Sequence, residues 1–405
     1  MTAFTLTAEQ AAFAASARAL AAGELRDLAS AGEPGRVNRP LIKAMGSAGL
    51  LDRLFPGLSG GGPSHSGPSH SGPSRGGLPR EAAAMDLCLL RESLAVESTE
   101  AETALALQGL GSYPVLQSGR DEVVRRWLPA VAAGDAVAAF ALSEPSAGSD
   151  AAALSLAAEP DGSGWRLTGE KTWISNAPEA DFYSVFARTT PGAGARGVSA
   201  FVVPAGRAGL TGSQLNMLSP HPIGTLVFDG VRVEPGELLG DVDRGFAVAM
   251  RTLDLFRPSV GAFAVGMAQA ALDASVAHAG TRLAFGGFLK DQQAISHQLA
   301  DMATRIHAAR LLVYAAASAY DEGAGSRPDA GPGPGRDISG QAAMAKLFAT
   351  ETAQFVVDRA VQIHGARALQ RGHLLEHLYR EVRAPRIYEG TSEIQRTIIA
   401  RALYR

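Results

Sequence analysis

A carboxylate in a tight turn close to the C-terminus is the first group whose surroundings could do chemistry: Glu389, between Tyr388 and the small residues Gly390, Thr391 and Ser392. A carboxylate fixed in such a turn can serve as a general base. The same stretch also reads as a solvated loop, with Ser392 and Gln395 spaced as a capping box opening a last helix from Glu393 to Leu403. A second candidate runs from Phe140 through Leu142, Ser143, Glu144, Pro145, Ser146, Ala147, Gly148 and Ser149 to Asp150. Small residues and hydroxyls let backbone amides approach a planar ring or a phosphate. The stretch is neither a P-loop nor a Rossmann fingerprint, and a plain turn has the same composition.

The elements that must position these residues fall into three textures. Thr7 to about Leu28 opens with a capping box, Thr7 and Gln10, and places Phe13, Ala17, Leu20, Leu25 and Leu28 at mostly helical spacing. Leu41 to Leu50 reads as a shorter helix, and Arg80 to Gln117 and Asp121 to Ala133 as further helices, the first punctuated by Gly109, Gly111 and Pro114. Short β-rich runs follow Gly134: Trp165 to Ile174, Phe182 to Arg188, Val198 to Val203 and Thr225 to Val233. Strand alternation is clearest at Leu226, Phe228, Val231 and Val233, with Gly230 marking a bulge. Beyond Gly245, Phe246 to Phe256, Ser259 to Thr281, Gln292 to Tyr320, Ile338 to His364 and Leu374 to Arg383 read as helices of a bundle. The expected divisions are a helical domain over 1–134, a compact antiparallel β domain over 135–240 and a four-helix bundle over 241–405. Two stretches interrupt this pattern. Ser59 to Gly77 repeats Pro-Ser-His-Ser-Gly and predicts a mobile surface loop, with His65 and His70 solvated, and Gly323 to Arg336 predicts a helix-to-helix loop.

At 405 residues and 46% hydrophobic content the chain is long enough for more than one core. Lys and Arg total 37 against 40 for Asp and Glu, so the sequence carries no electrostatic footprint for nucleic acid or an anionic membrane. One cysteine, Cys88, excludes an internal disulfide framework, suits a reducing compartment and lies among apolar residues that should bury it. The nine histidines show no metal-ligand spacing, and no metal is expected. The start of the sequence lacks a basic, apolar leader, and no stretch of about twenty apolar residues reads as a bilayer span. A cytoplasmic protein is expected.

Leu142 to Asp150 resembles the first signature of the acyl-CoA dehydrogenase flavoprotein family, and further matches follow in family order. Lys171-Thr172-Trp173-Ile174-Ser175-Asn176-Ala177 resembles the family's second flavin-contacting segment. Asp254 with Arg257 and Pro258 resembles its substrate-contact turn. Arg282, Phe285, Gly286, Gln292, Gln293 and Leu299 to Met302 resemble the element that meets FAD across a subunit interface. Gln362-Ile363-His364-Gly365, Arg380 and Ile387 to Thr391 resemble the C-terminal signature. The resemblance spans essentially the whole chain and is to the short- and medium-chain type.

That resemblance implies an N-terminal helical domain, a barrel-like middle β domain, a C-terminal four-helix bundle and FAD as cofactor. Phe140, Leu142, Ser143, Gly148, Ser149, Trp173, Ile174 and Ser175 would face FAD, with Ser143 near the pyrimidine side of the ring and Ser175 near N5. Arg282, Phe285, Gln292, Gln293, Gln362, Ile363, Gly365, Thr391 and Glu393 would complete that site. Glu389 would remove the α-proton of an acyl-CoA thioester whose oxygen is held by the Glu389 amide and an FAD hydroxyl. Ser149, Asp254, Arg257 and Gly390 would contact substrate. Burial against acyl chain and flavin should raise the pKa of Glu389, against the pull of the nearby helix N-terminus. Some family members carry the base on the helix beside the arginine, where this chain has Phe256.

Departures from the pattern are Ala366 and Ala368 in place of glycines, expected to intrude where the backbone nears FAD, Phe288 for proline and Glu381 for aspartate. The implied partners are an acyl-CoA substrate, an electron-transfer flavoprotein and further copies of the chain in a dimer or tetramer. Alternatives are an acyl dehydrogenase acting on acyl carrier protein, an oxidase or lyase of the same family, or a flavin-free scaffold.

Overall fold

A computed structural model describes residues 5–55, 82–324 and 337–404. The loop expected over Ser59 to Gly77, with His65 and His70, and nearly all of the one over Gly323 to Arg336 lie outside the described residues. The described residues fold as two compact units: those within Met1–Gly23, Ala84–Glu102 and Asp254–Arg405 form a helical unit, and those within Glu24–Ala83 and Thr103–Leu253 a unit built on a sheet.

The sheet unit contains helices α2 (Glu24–Ser30), α3 (Arg39–Ser47), most of α5 (Thr99–Ser118) and α6 (Asp121–Ala132). Its seven strands are β1 (Ala138–Ala141), β2 (Ala157–Asp161), β3 (Gly164–Ser175), β4 (Phe182–Arg188), β5 (Val198–Pro204), β6 (Leu210–Gln214) and β7 (Ile223–Val233). The antiparallel pairs β2/β3, β3/β7, β4/β5 and β6/β7 dominate, as expected for this fold. The addition is that β1 and then β2 lie parallel along one edge of β4, paired at Ala138 with Phe182 and Ala157 with Arg188. Residues Leu142 to Asp150 occupy the gap where the chain leaves that edge.

Two bulges separate β3 from β7. At the first, Asp229 and Gly230 oppose Thr168, so the buried face of β7 shifts phase from Leu226 and Phe228 to Val231 and Val233. At the second, Thr172 and Trp173 oppose Thr225. Trp173 takes φ 59° and turns its indole out, 55% exposed.

The helical unit holds α1 (Ala8–Ala22), α4 (Ala84–Glu97), α7 (Gly245–Thr281) from Asp254 on, α8 (Gln293–Ala324), α9 (Ile338–His364), α10 (Leu374–Glu381) and α11 (Ser392–Ala402). The capping box of Thr7 and Gln10 is formed, and Cys88 is buried. A first helix reaching Leu28 is instead broken at Gly23, which takes an irregular cap conformation before α2 begins. The last helix is capped one residue earlier than expected: Thr391 accepts from the Ile394 N–H, while Ser392 donates to Glu351 Oε1 at 2.7 Å.

The helical run expected from Arg80 to Gln117 divides at Ser98 and not at its punctuating residues, and the break expected at Pro258 does not occur. Helix α5 continues through Gly109, Gly111 and Pro114 because it lies on β1: a Cβ at Gly111 would stand 2.6 Å from the Ala138 carbonyl carbon, so glycine there permits close approach rather than a turn. Helix α7 continues through Pro258, with the Ser259 hydroxyl donating to the Phe256 carbonyl at 2.7 Å in the same turn. An uninterrupted α7 also corrects the reading that no segment is long and apolar enough to span a bilayer. It passes that test, and 72% of its most apolar stretch is buried inside the protein, as befits a core helix.

Candidate active site

In the helical unit, the turn between α10 and α11 carries Glu389 at φ 53° and Gly390 at φ 93°. A left-handed glutamate costs about 1–3 kcal/mol and persists only where its surroundings impose it. Here each carbonyl of the turn is taken. Lys346 Nζ, on α9, donates to Tyr388 O at 3.0 Å and Gly390 O at 2.6 Å. Gln395 Nε2, on α11, donates to Glu389 O at 3.2 Å and Gly390 O at 2.9 Å. Arg257 Nε, on α7, donates to Glu389 O at 3.3 Å.

The residue Glu389 is only half-buried, but its Oε2 is sealed from solvent without a hydrogen-bond partner. Burial raises its pKa, and the charges of Arg91, Lys346 and Arg257 partly offset that rise. Arg91, on α4, is itself buried. It pairs with Glu102 and donates through Nη1 to Ser259 Oγ at 2.8 Å. A carboxylate with a free, desolvated oxygen and three cations around it is equipped to accept a proton in a dry setting.

Asp254 sits one turn before Arg257 and is engaged within the unit. Its Oδ1 accepts from Arg257 Nη1 at 3.1 Å and its Oδ2 from Ser339 Oγ at 2.8 Å. Burial raises its pKa, and Arg257 opposes the rise. Phe256 is buried, so α7 offers no carboxylate at that position.

Further along the same unit, α7 gives way to a small hairpin, β8 (Leu283–Ala284) and β9 (Gly287–Phe288). Its two turn residues, Phe285 at φ 53° and Gly286 at φ 82°, show the double positive φ of a tight hairpin turn. Phe285 is 95% exposed. Arg282, Gln293, Gln362, Gly365 and Glu393 are exposed, Gln292 and Thr391 half-buried, and Ile363 buried. Of the two alanines expected to intrude, Ala366 is exposed but Ala368 is fully buried, so only one of the methyl groups reaches the surface.

In the sheet unit the first two motifs are stitched together. Thr172 N–H donates to Ser143 O at 3.0 Å, and Lys171 Nζ to Leu142 O at 2.9 Å. Beneath them Lys171 Nζ meets Glu144 Oε1 at 2.8 Å, and Glu144 also accepts from Ser155 N–H at 2.6 Å and Leu156 N–H at 2.9 Å. Burial drives the Lys171 ammonium down to about 8, with Glu144 opposing the fall. For Glu144 burial works toward protonation, but Lys171 and the N–H donors outweigh it and hold its pKa below the usual range. Gly148 and Ser149 are exposed, with open space where a Gly148 Cβ would stand, and Phe140 and Ser143 are half-buried. Leu142 and Ile174, expected to face FAD, are instead buried as core. Ser175 Oγ lies 2.9 Å from His221 Nε2, and burial pushes that imidazole down to about 4, leaving it neutral at pH 7.

An exposed indole beside hydroxyls and open backbone suits the face of a flat ring system. These residues fit FAD. Sequence reasoning did not assign the supporting roles of Lys346, Arg91, Gln395 and Ser339 around Glu389 and Asp254, of His221 beside Ser175, or of the Glu144–Lys171 pair between the first two motifs. Two carried a signal. Lys346 is the lone charge in the apolar stretch from Ile338 to Thr350, and Arg91 follows Leu87-Cys88-Leu89-Leu90.

Comparison with known proteins agrees with the fold. Family models described as the N-terminal, middle and C-terminal domains of acyl-CoA dehydrogenase match residues 7–135, 139–231 and 243–404. The chain belongs to the acyl-CoA dehydrogenase family, oxidoreductases acting on CH–CH groups. It is 38% identical over 327 residues to the probable acyl-CoA dehydrogenase FadE25 of Mycobacterium tuberculosis, covering 80% of this chain and 81% of that one. Butyryl-CoA dehydrogenase from Megasphaera elsdenii superposes with a TM-score of 0.87 at 30% identity over 100% of both chains. PigA, solved with FAD and proline, superposes with a TM-score of 0.86 at 26% identity over 100% of this chain and 99% of its own.

Proposed function

We propose that the protein is an FAD-dependent acyl-CoA dehydrogenase that converts an acyl-CoA thioester to its 2,3-enoyl form, with Glu389 as the α-proton base. The observation that carries this reading is Glu389 itself: a left-handed backbone, all three turn carbonyls held, and one carboxylate oxygen buried without a partner. Ionised Glu389 takes the proton from the α-carbon and becomes a neutral acid. Its own N–H is a donor for the thioester oxygen, where negative charge gathers as the proton leaves. Arg257, held by Asp254, fixes one side of the turn through Glu389 O. FAD, when bound, supplies the acceptor for the hydride that leaves the β-carbon. Ser143, Ser149, Trp173 and Ser175 would hold it, and the family resemblance also assigns Arg282, Phe285, Gln293 and Gln362 to FAD, the first three across a subunit interface.

Electrons then pass to an electron-transfer flavoprotein, and the exposed Phe285 hairpin suits a contact between copies in a dimer or tetramer. The test is anaerobic bleaching of the purified yellow protein with short, branched, medium and aromatic acyl-CoAs, and with the same acyl groups on carrier protein. Wild type should bleach with at least one acyl-CoA and reoxidise slowly in air, while Glu389→Gln stays yellow and does not bleach. Bleaching of that variant at the normal rate overturns the base assignment. Bleaching by carrier-bound acyl groups alone overturns the CoA assignment, and a colourless protein overturns the cofactor.

A further inference from the structure

We infer that Lys346 is the positioning residue of the Glu389 turn: by holding the carbonyls on either side of Glu389, it fixes the direction of the Glu389 N–H at the thioester oxygen. The inference rests on the reading of Glu389 as the α-proton base.

In a trans peptide the C=O and the following N–H point opposite ways. Lys346 Nζ holds Tyr388 O at 3.0 Å, so the Glu389 N–H is turned away from Lys346. Among the described residues that N–H donates to no protein acceptor. Nζ also holds Gly390 O at 2.6 Å, which fixes the peptide plane beyond Gly390. One cation thus clamps two carbonyls that bracket a left-handed glutamate, and a neutral side chain of the same size could hold neither as strongly.

Burial makes Lys346 an expensive choice. It is fully buried, on a face of α9 shared with Ala342, Ala345, Ala349 and Thr350, whose hydroxyl donates to Lys346 O at 2.9 Å. An apolar residue there would avoid the desolvation of an ammonium. The charges facing Glu389 come from three elements: Arg91 on α4, Arg257 on α7 and Lys346 on α9. Those facing Lys346 are Glu389, Arg257, Glu351 and Glu393. Of the three cations near Glu389, Lys346 alone holds both bracketing carbonyls. Burial draws its pKa down to about 8, partly offset by Glu389, so it is still mostly charged at pH 7.

The test separates positioning from folding. A CoA thioester with sulfur at the β-position can lose its α-proton but has no β-hydrogen to give, and its bound enolate is read as a long-wavelength flavin band. Lys346→Met should remain yellow and bind this analogue within about threefold of wild type at low pH. Its apparent pKa for enolate formation should rise by about one unit or more, corresponding to tenfold weaker enolate stabilisation. Bleaching by substrate should slow by roughly 10- to 100-fold, with KM little changed. Lys346→Arg should recover part of both effects. A wild-type enolate pKa and bleaching rate in Lys346→Met overturn the inference. Should that variant not fold, Lys346→Gln, whose amide can hold one carbonyl, should show a smaller shift of the same sign, and no shift overturns the inference. Glu389→Gln distinguishes the underlying reading. If it forms the band with the wild-type pKa, the base assignment fails, whereas a wild-type Lys346→Met beside an inert Glu389→Gln removes only the role of Lys346.

Discussion

Lys171 Nζ and Glu144 Oε1 meet at 2.8 Å with neither side chain reaching solvent, Glu144 next to Ser143 in the segment after β1 and Lys171 two residues before Trp173 on β3. The pair is a fastening between two motifs, and its two halves are not equivalent. Lys171→Met would leave a buried carboxylate without its cation. That should cost about 3–5 kcal/mol of unfolding free energy, read as a lower urea midpoint with little change in slope. Glu144→Gln would leave a lysine whose pKa burial has already drawn to about 8. Because that lysine can shed its proton, the cost of Glu144→Gln should shrink as pH rises from 7 to 9, while the cost of Lys171→Met should not.

Gly390→Ala tests how tightly the Glu389 turn is built. A Cβ at Gly390 would stand 2.7 Å from Gln395 Nε2, on a backbone whose φ is 93°. Gln395 must then release the Glu389 and Gly390 carbonyls, or the turn must open. The expected result is a loss of about 1–2 kcal/mol in stability and a fall of at least roughly tenfold in the rate of substrate bleaching. A variant with normal bleaching would show that the turn needs no left-handed Gly390.

What the sequence could tell depended on whether a signal was local. Leu226, Phe228, Val231 and Val233 announced both a strand and its bulge, because the phase of burial changes where Gly230 supplies the extra residue. Strand β1 was silent, since Ala138-Ala139-Phe140-Ala141 has neither length nor β-branching, and its place is set by its pairing with β4. Gly111 and Pro258 were misleading for a related reason: packing on β1 and burial of α7 override local helix breakers. At the site, motif resemblance pointed to Glu389, Trp173 and Phe285. Their shared left-handed backbones were not legible, because only glycine advertises positive φ in composition. Lys346 is far from Glu389 in the chain and meets the turn only once α9 is packed.

The ionisation of Glu389 sets the pH dependence of the chemical step. A base must be ionised to take a proton, and burial has raised this pKa above its ordinary value despite Arg91, Lys346 and Arg257. The bleaching rate at saturating substrate should therefore be low in acid and rise with pH, through a midpoint above that of a free glutamate. Arg257→Gln removes one of the three cations, so its midpoint should move further up, by roughly half to one unit. A midpoint that falls in Arg257→Gln, or a rate flat across the acid range, would separate the titrating group from Glu389.

Glu381 makes a prediction about stability rather than rate. Burial raises its pKa to about 8, with Glu100 and Glu102 adding to the rise and Arg380 opposing it. In the unfolded chain its pKa is near that of a model glutamate, so between that value and about 8 the folded state holds a proton that the unfolded state has lost. Stability contributed by the protonated carboxyl is fully present below the unfolded pKa and declines as pH rises through the folded one. Glu381→Gln keeps the neutral shape without the titration. Its unfolding free energy should match wild type near pH 4 and exceed it by roughly 1–3 kcal/mol at pH 8 to 9, after allowance for relaxation around the charge. Urea unfolding of both proteins across that range measures the difference, and parallel pH profiles would show that Glu381 stays ionised in the fold.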